Sequence, residues 1–110
     1  MILYLEGETG DNTVTIGAIH FMLNNGKEVV MTWDESDISR HENGFSARYK
    51  GVVFDEEYAN GNLELIKGGM ISDISLYSEK KGTYPFKVTG MLFDDYGEKY
   101  SFDPDPNQTF

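Results

Sequence analysis

Residues 54–69, Phe-Asp-Glu-Glu-Tyr-Ala-Asn-Gly-Asn-Leu-Glu-Leu-Ile-Lys-Gly-Gly, decide between a mixed fold and an all-β fold. Two readings share the dipeptide Asn60-Gly61. As a helix, the stretch has Asp55 as N-cap, Glu56 and Glu57 in the first turn, Lys67 in the last turn and Gly68-Gly69 as terminator. Phe54 then staples onto Ala59, and Ala59, Leu63 and Ile66, with Tyr58 and Leu65 alongside, follow the 3.6-residue period. As a hairpin, Asn60-Gly61 is the turn and Tyr58 pairs with Leu63. Gly61 inside a helix costs about 1 kcal/mol. Signals agreeing at both ends favour the helix, from about Glu56 to Lys67.

Upstream, Thr13 to Trp33 reads as a long β-hairpin closed by Asn25-Gly26, a pair suited to a type I′ turn. That turn sets Met22 opposite Val29, His20 opposite Met31 and Ala18 opposite Trp33. The face is apolar, and it makes His20 a core histidine. The other face, with Leu23, Phe21 and Ile19 against Glu28, Val30 and Thr32, is half apolar, so the hairpin belongs inside a sheet. Met1 to Leu5 reads as a first strand and Gly7 to Asn12 as turn. Asp34-Glu35-Ser36-Asp37 reads as a polar connection able to cap a helical turn leading to Arg40. Asn43-Gly44 opens a strand with Phe45, Ala47, Tyr49 and Val53 on one parity and Arg48 and Lys50 on the other.

Downstream, Met70 to Ser78 is strand-like and Glu79 to Gly82 a polar turn. Phe86, Val88, Gly90 and Leu92 alternate with Lys87, Thr89, Met91 and Phe93. Asp94 to Glu98 suits a type I turn with Gly97 left-handed, because tyrosine is a poor candidate for positive φ; Leu92 then faces Tyr100. The expected fold is α+β: a mostly antiparallel twisted sheet of β-hairpins, about six to eight strands, with one helix packed on it. The alternative is an all-β barrel or sandwich. Residues 1–103 are expected to form a single compact domain and residues 104–110 a frayed tail.

Nineteen acids against nine bases give a formal net charge of −10. This disfavours direct binding to a phosphate backbone and leaves two explanations: solubility, or a basic partner surface. There are no cysteines, which removes disulfides, thiolate metal sites and cysteine nucleophiles and suits a cytoplasmic setting. The start, Met1-Ile2-Leu3-Tyr4-Leu5-Glu6, lacks the basic region of a signal peptide, and no membrane association is expected.

No catalytic motif is present. His20 and His41 lie in different elements; His41 sits beside a turn. The acids at 34–37 and at Asp94, Asp95 and Glu98 lack calcium-loop spacing, so neither a metal nor a cofactor is expected. Seven tyrosines, seven phenylalanines and one tryptophan point instead to contacts. Tyr49, Tyr58, Tyr77, Tyr84, Tyr96 and Tyr100 are candidates for an exposed patch, with Arg48 and Lys50 as a basic strand and Asp94 and Asp95 as an acidic turn. The expected function is a non-enzymatic acidic module that binds a basic protein, such as a nucleic-acid enzyme, as inhibitor or neutraliser. The alternative is a small-molecule-binding domain with an apolar pocket near Trp33.

Overall fold

The computed structural model describes residues 1–10, 13–79 and 85–110 and folds them into two antiparallel sheets. Nine strands run in chain order: β1 (Ile2–Thr9), β2 (Thr15–Met22), β3 (Glu28–Thr32), β4 (Glu35–His41), β5 (Gly44–Lys50), β6 (Val53–Phe54), β7 (Met70–Tyr77), β8 (Phe86–Asp95) and β9 (Glu98–Phe102). One sheet has the order β4-β5-β1-β8-β9 and the other β6-β3-β2-β7. They do not close into a barrel. The core lies between them: Leu3, Leu5, Phe45, Ala47, Tyr49, Met91 and Phe93 face Ile19, Phe21, Val29, Met31, Ile71 and Ile74. Phe21 meets Phe93 across the gap edge-to-face at 5.9 Å.

Both expected hairpins form, but each is shifted by one residue, and their turn types are exchanged. In the first, Phe21 pairs with Val29 and Ile19 with Met31, not His20 with Met31. Gly26 donates to the Leu23 carbonyl and Leu23 to that of Lys27, so the loop is three residues long with only Gly26 left-handed, at φ 85°. In the second, Asp95 pairs with Glu98 and Met91 with Phe102, leaving Tyr96-Gly97 as a two-residue turn with φ of 51° and 95°.

Burial decides both registers. A one-residue slip sends a strand's whole apolar set to the other face. The observed pairings put Ile19, Phe21, Val29 and Met31 in the core, and they turn Tyr100 and Phe102 toward Phe21 and Phe93. Left-handed tyrosine costs roughly 1–2 kcal/mol. The ring contacts it permits contribute about 0.5–1.5 kcal/mol each beyond area burial. The same shift moves His20 out of the core: its side chain is 29% exposed, on the outer face beside Glu28.

Residues 54–69 form neither a continuous helix nor a hairpin. A 3₁₀ turn (Glu57–Ala59) and a four-residue helix α1 (Leu63–Ile66) flank a break at Asn60-Gly61. Asp55, expected as N-cap, accepts the Val30 N–H on Oδ1 at 3.0 Å and extends the β3–β6 pairing. Asn60 replaces a missing strand neighbour: its Oδ1 accepts the Phe54 N–H at 2.6 Å and its Nδ2 donates to the Phe54 carbonyl at 3.0 Å. The stop signal holds, with Gly68 at φ 79° just past the helix. Ala59, Leu63 and Ile66 are buried as the period implied. Asn24 docks the first hairpin on the helix end, its Nδ2 donating to the carbonyls of Glu64 and Lys67.

Other expectations change with the pairing. Gly7 to Thr9 continue β1, and the acidic connection from Glu35 is strand, not helical turn. Gly51, at φ 66°, breaks the β5 parity, so Val52 is buried and Val53 exposed. In β8 the pairing steps from Gly90 opposite Glu6 to Val88 opposite Gly7. Thr89 is thus an extra residue that lets Phe86 and Val88 share the inner face with Met91 and Phe93. The tail expected to fray is hydrogen-bonded to the domain: Phe110 exchanges two backbone hydrogen bonds with Phe86, and Gln108 donates to the Ile71 carbonyl. Most of the proposed 79–82 turn, with Tyr84, lies outside the described residues.

Candidate functional site

Five of the bases are engaged within the fold. Lys50 on β5 sits 3.6 Å from Asp37 and 4.0 Å from Glu35 of the neighbouring β4. Arg48 is paired in register with Tyr4 and Asp37, and its guanidinium lies over the Tyr4 ring at 5.8 Å. Lys27 pairs with Glu56 at 3.0 Å, which raises its pKa, and Lys67 pairs with Glu64 at 3.2 Å. Arg40 crosses from β4 to the other sheet, donating to the Val14 carbonyl and Thr15 Oγ1. By contrast Asp34, Glu42, Glu57, Glu98 and Asp103 form no ion pair among the described residues. Lys87 and Lys99 likewise form no ion pair among the described residues, so the surface left for a partner is predominantly, not wholly, anionic.

The strand β4 concentrates this character. Among the described residues it is the outermost strand of its sheet, paired with β5 alone, and every residue except Ile38 is exposed. Asp34, Glu35 and Asp37 head it, and Arg40 and His41 end it.

The proposed contact residues do not share one element. Tyr58 stands on the 3₁₀ turn beside Lys27. Tyr77 ends β7 with its ring over Gly17, where a Cβ would lie 2.0 Å from it. Tyr96 tips the β8–β9 turn and is 99% exposed. Asp94 accepts the Gly97 N–H at 2.9 Å and so serves that turn, with Asp95 beside it. Tyr100 is half-buried against Phe102. The phenylalanines all belong to the core or pack against it, so most of the aromatic excess is structural.

Tyr49 leaves the contact set altogether. It is 1% exposed, packed on Trp33 with ring centroids 4.0 Å apart and the planes tilted by 38°, and its hydroxyl has no hydrogen-bond partner among the described residues. Burial pushes its pKa well above the usual tyrosine value, with Arg40 opposing weakly. Because the fold favours the neutral phenol, this stabilisation is complete below the unfolded pKa near 10 and drains away as pH rises beyond it. Tyr49→Phe is expected to raise stability at neutral pH by about 1 kcal/mol, by removing an unsatisfied hydroxyl. It is also expected to flatten the loss of stability above pH 10, in urea titrations across that range. Equal alkaline sensitivity in both proteins would contradict the assignment.

Trp33 packs against Tyr49 and the core, and an apolar cleft lies elsewhere. A cleft of about 230 Å³ opens between β7, β8 and the C-terminal segment, lined by Met70, Ile71, Val88, Met91, Phe102 and Phe110, with Asp103, Asp105 and Gln108 at its rim. No signal in the tail 104–110 announced it; the proline-rich composition suggested fraying. His20 Nδ1 lies 3.6 Å from Glu28, with Asp73 opposite on β7. Neither residue lines this cleft, and Asp73 turns back to its own chain at Ile74 N–H. Among the described residues there is no cluster of three or more potential metal ligands, and no helix is long and apolar enough to cross a membrane.

Comparison with protein-family models, curated proteins and solved structures finds no match for the chain.

Proposed function

We propose that this chain is a non-enzymatic binding module for a basic protein, acting as inhibitor or neutraliser of a partner whose own surface binds nucleic acid. The observation that carries the reading is the free edge of β4. Among the described residues no strand lies on its outer side, Glu35 and Asp37 stand exposed along it beside Asp34, and the nearest bases, Lys50, Arg48 and Arg40, are held by contacts inside the fold. An extended basic segment of the partner would add to this edge, its backbone supplying affinity and its charges the register. The cysteine-free sequence suits a cytoplasmic setting for such a pair.

The test is a charge reversal, Glu35→Lys with Asp37→Lys. Both sites are exposed, but the reversal sets two lysines beside Lys50, so folding is expected to weaken by about 1 kcal/mol, and a urea melt checks that the variant remains folded. Affinity capture from host extract at low salt is expected to retain a basic protein on the natural sequence and to lose at least about tenfold on the variant. High salt is expected to release it as well. Capture of the same proteins by both forms, indifferent to salt, would overturn the proposal.

A further inference from the structure

The cleft under the C-terminal segment is partly open to solvent and lined mostly by apolar side chains. Apolar cavities of about 150 Å³ accept benzene. At about 230 Å³ this cleft has room for a ring and a short chain. Its walls are the two methionines Met70 and Met91, with Ile71, Val88 and the rings of Phe102 and Phe110. Methionine is flexible and polarisable and adapts to a guest.

The rim is one-signed. Asp103 and Asp105 stand there, and neither lysine nor arginine lines the cleft. Asp105 Oδ1 accepts the Asn107 N–H at 2.9 Å and leaves its second oxygen uncommitted among the described residues. Asp103 has no hydrogen bond or ion pair there. Gln108 is already committed to the Ile71 carbonyl at 3.1 Å, so it fixes the wall. Together with the paired Phe86 and Phe110 backbones, this makes the site preformed.

From this apolar interior with a purely anionic mouth, we infer that the cleft is a binding site for a small hydrophobic cation, a primary arylalkylamine with its ring inside and its ammonium at Asp103 and Asp105. The ring replaces water against Met91 and Val88. The ammonium gains charge-assisted hydrogen bonds at the rim and lies within reach of the faces of Phe102 and Phe110. A carboxylate of the same shape meets two like charges and is rejected. The site is separate from the β4 edge and independent of the protein-partner proposal.

The experiment uses the full chain with ¹³C-methyl-labelled methionine. Met70 and Met91 report on the cleft, and Met31, buried in the core, serves as the control. Phenethylamine is expected to shift the Met70 and Met91 methyls saturably and leave Met31 still. Phenethyl alcohol is expected to bind about tenfold more weakly, the scale of one charge-assisted hydrogen bond, and hydrocinnamate not at all. The double variant Asp103→Asn with Asp105→Asn keeps the Oδ1 acceptor for Asn107. It is expected to bind amine and alcohol alike, with an unchanged Met31 signal as proof of fold. No saturable shift with phenethylamine at millimolar concentration, equal binding of hydrocinnamate, or full amine affinity in the folded double variant would each overturn the inference.

Discussion

Phe21→Ala is expected to destabilise the protein by about 3–5 kcal/mol, a large share of the total for a domain of this size. Phe21 is fully buried on β2 and touches rings on both sheets: Phe54 at 6.1 Å, Phe93 at 5.9 Å and Phe102 at 5.5 Å between centroids. Truncation removes the transfer energy of the ring and leaves a cavity that three other rings cannot close without leaving their rotamers. Urea unfolding followed by tryptophan fluorescence measures it: the midpoint falls while the slope stays the same. A loss below about 1.5 kcal/mol would mean that the sheets are not held together at this cluster.

The second large effect falls on the break in the 54–69 segment. Asn60→Ala is expected to cost about 2 kcal/mol, because the N–H and carbonyl of the buried Phe54 both lose their partner. Asn60→Asp separates the two bonds. It keeps an acceptor for the Phe54 N–H but sets an oxygen against the Phe54 carbonyl, so it is expected to fall between alanine and the natural residue or below both. Helix propensity makes the opposite forecast: alanine is the best helix former, and if the segment were one continuous helix, Asn60→Ala would stabilise it. The sign of the change, read in a thermal or urea melt, distinguishes the two.

That opposition explains where the sequence was legible. Alternation located most strands, and the apolar period found Ala59, Leu63 and Ile66, because burial is written in residue type. The caps at Asp55 and the turn at Asn25-Gly26 were misread because aspartate and asparagine serve several backbones equally well. Asp55 found Val30, Asn60 found Phe54 and Asn24 found the end of α1, all across the tertiary structure. Tyr96 is the reverse case: an unfavourable turn residue tolerated because the register it closes half-buries Tyr100 and Phe102. Of the candidate site, the charge excess was plain from composition. Its concentration on a free edge depended on β4 forming at all, and polar residues in an edge strand give no inward-outward alternation to detect. The cleft depended on Phe110 pairing with Phe86, a contact no local pattern encodes.

The central position of β1 also sets the order of events during folding. Its neighbours are β5, where Leu3 meets Tyr49, and β8, where Ile2 meets Asp94. On the ribosome, the β2–β3 hairpin has its partner within one short loop, whereas β1 waits for nearly the whole chain to emerge before its second edge is covered. Such non-local pairing places folding in the millisecond-to-second class, not the microsecond class of helical bundles. Until β8 arrives, the alternating Leu3 and Leu5 lie open to other strands. Nascent chains stalled before residue 86 are thus the species in which a chaperone has most to shield.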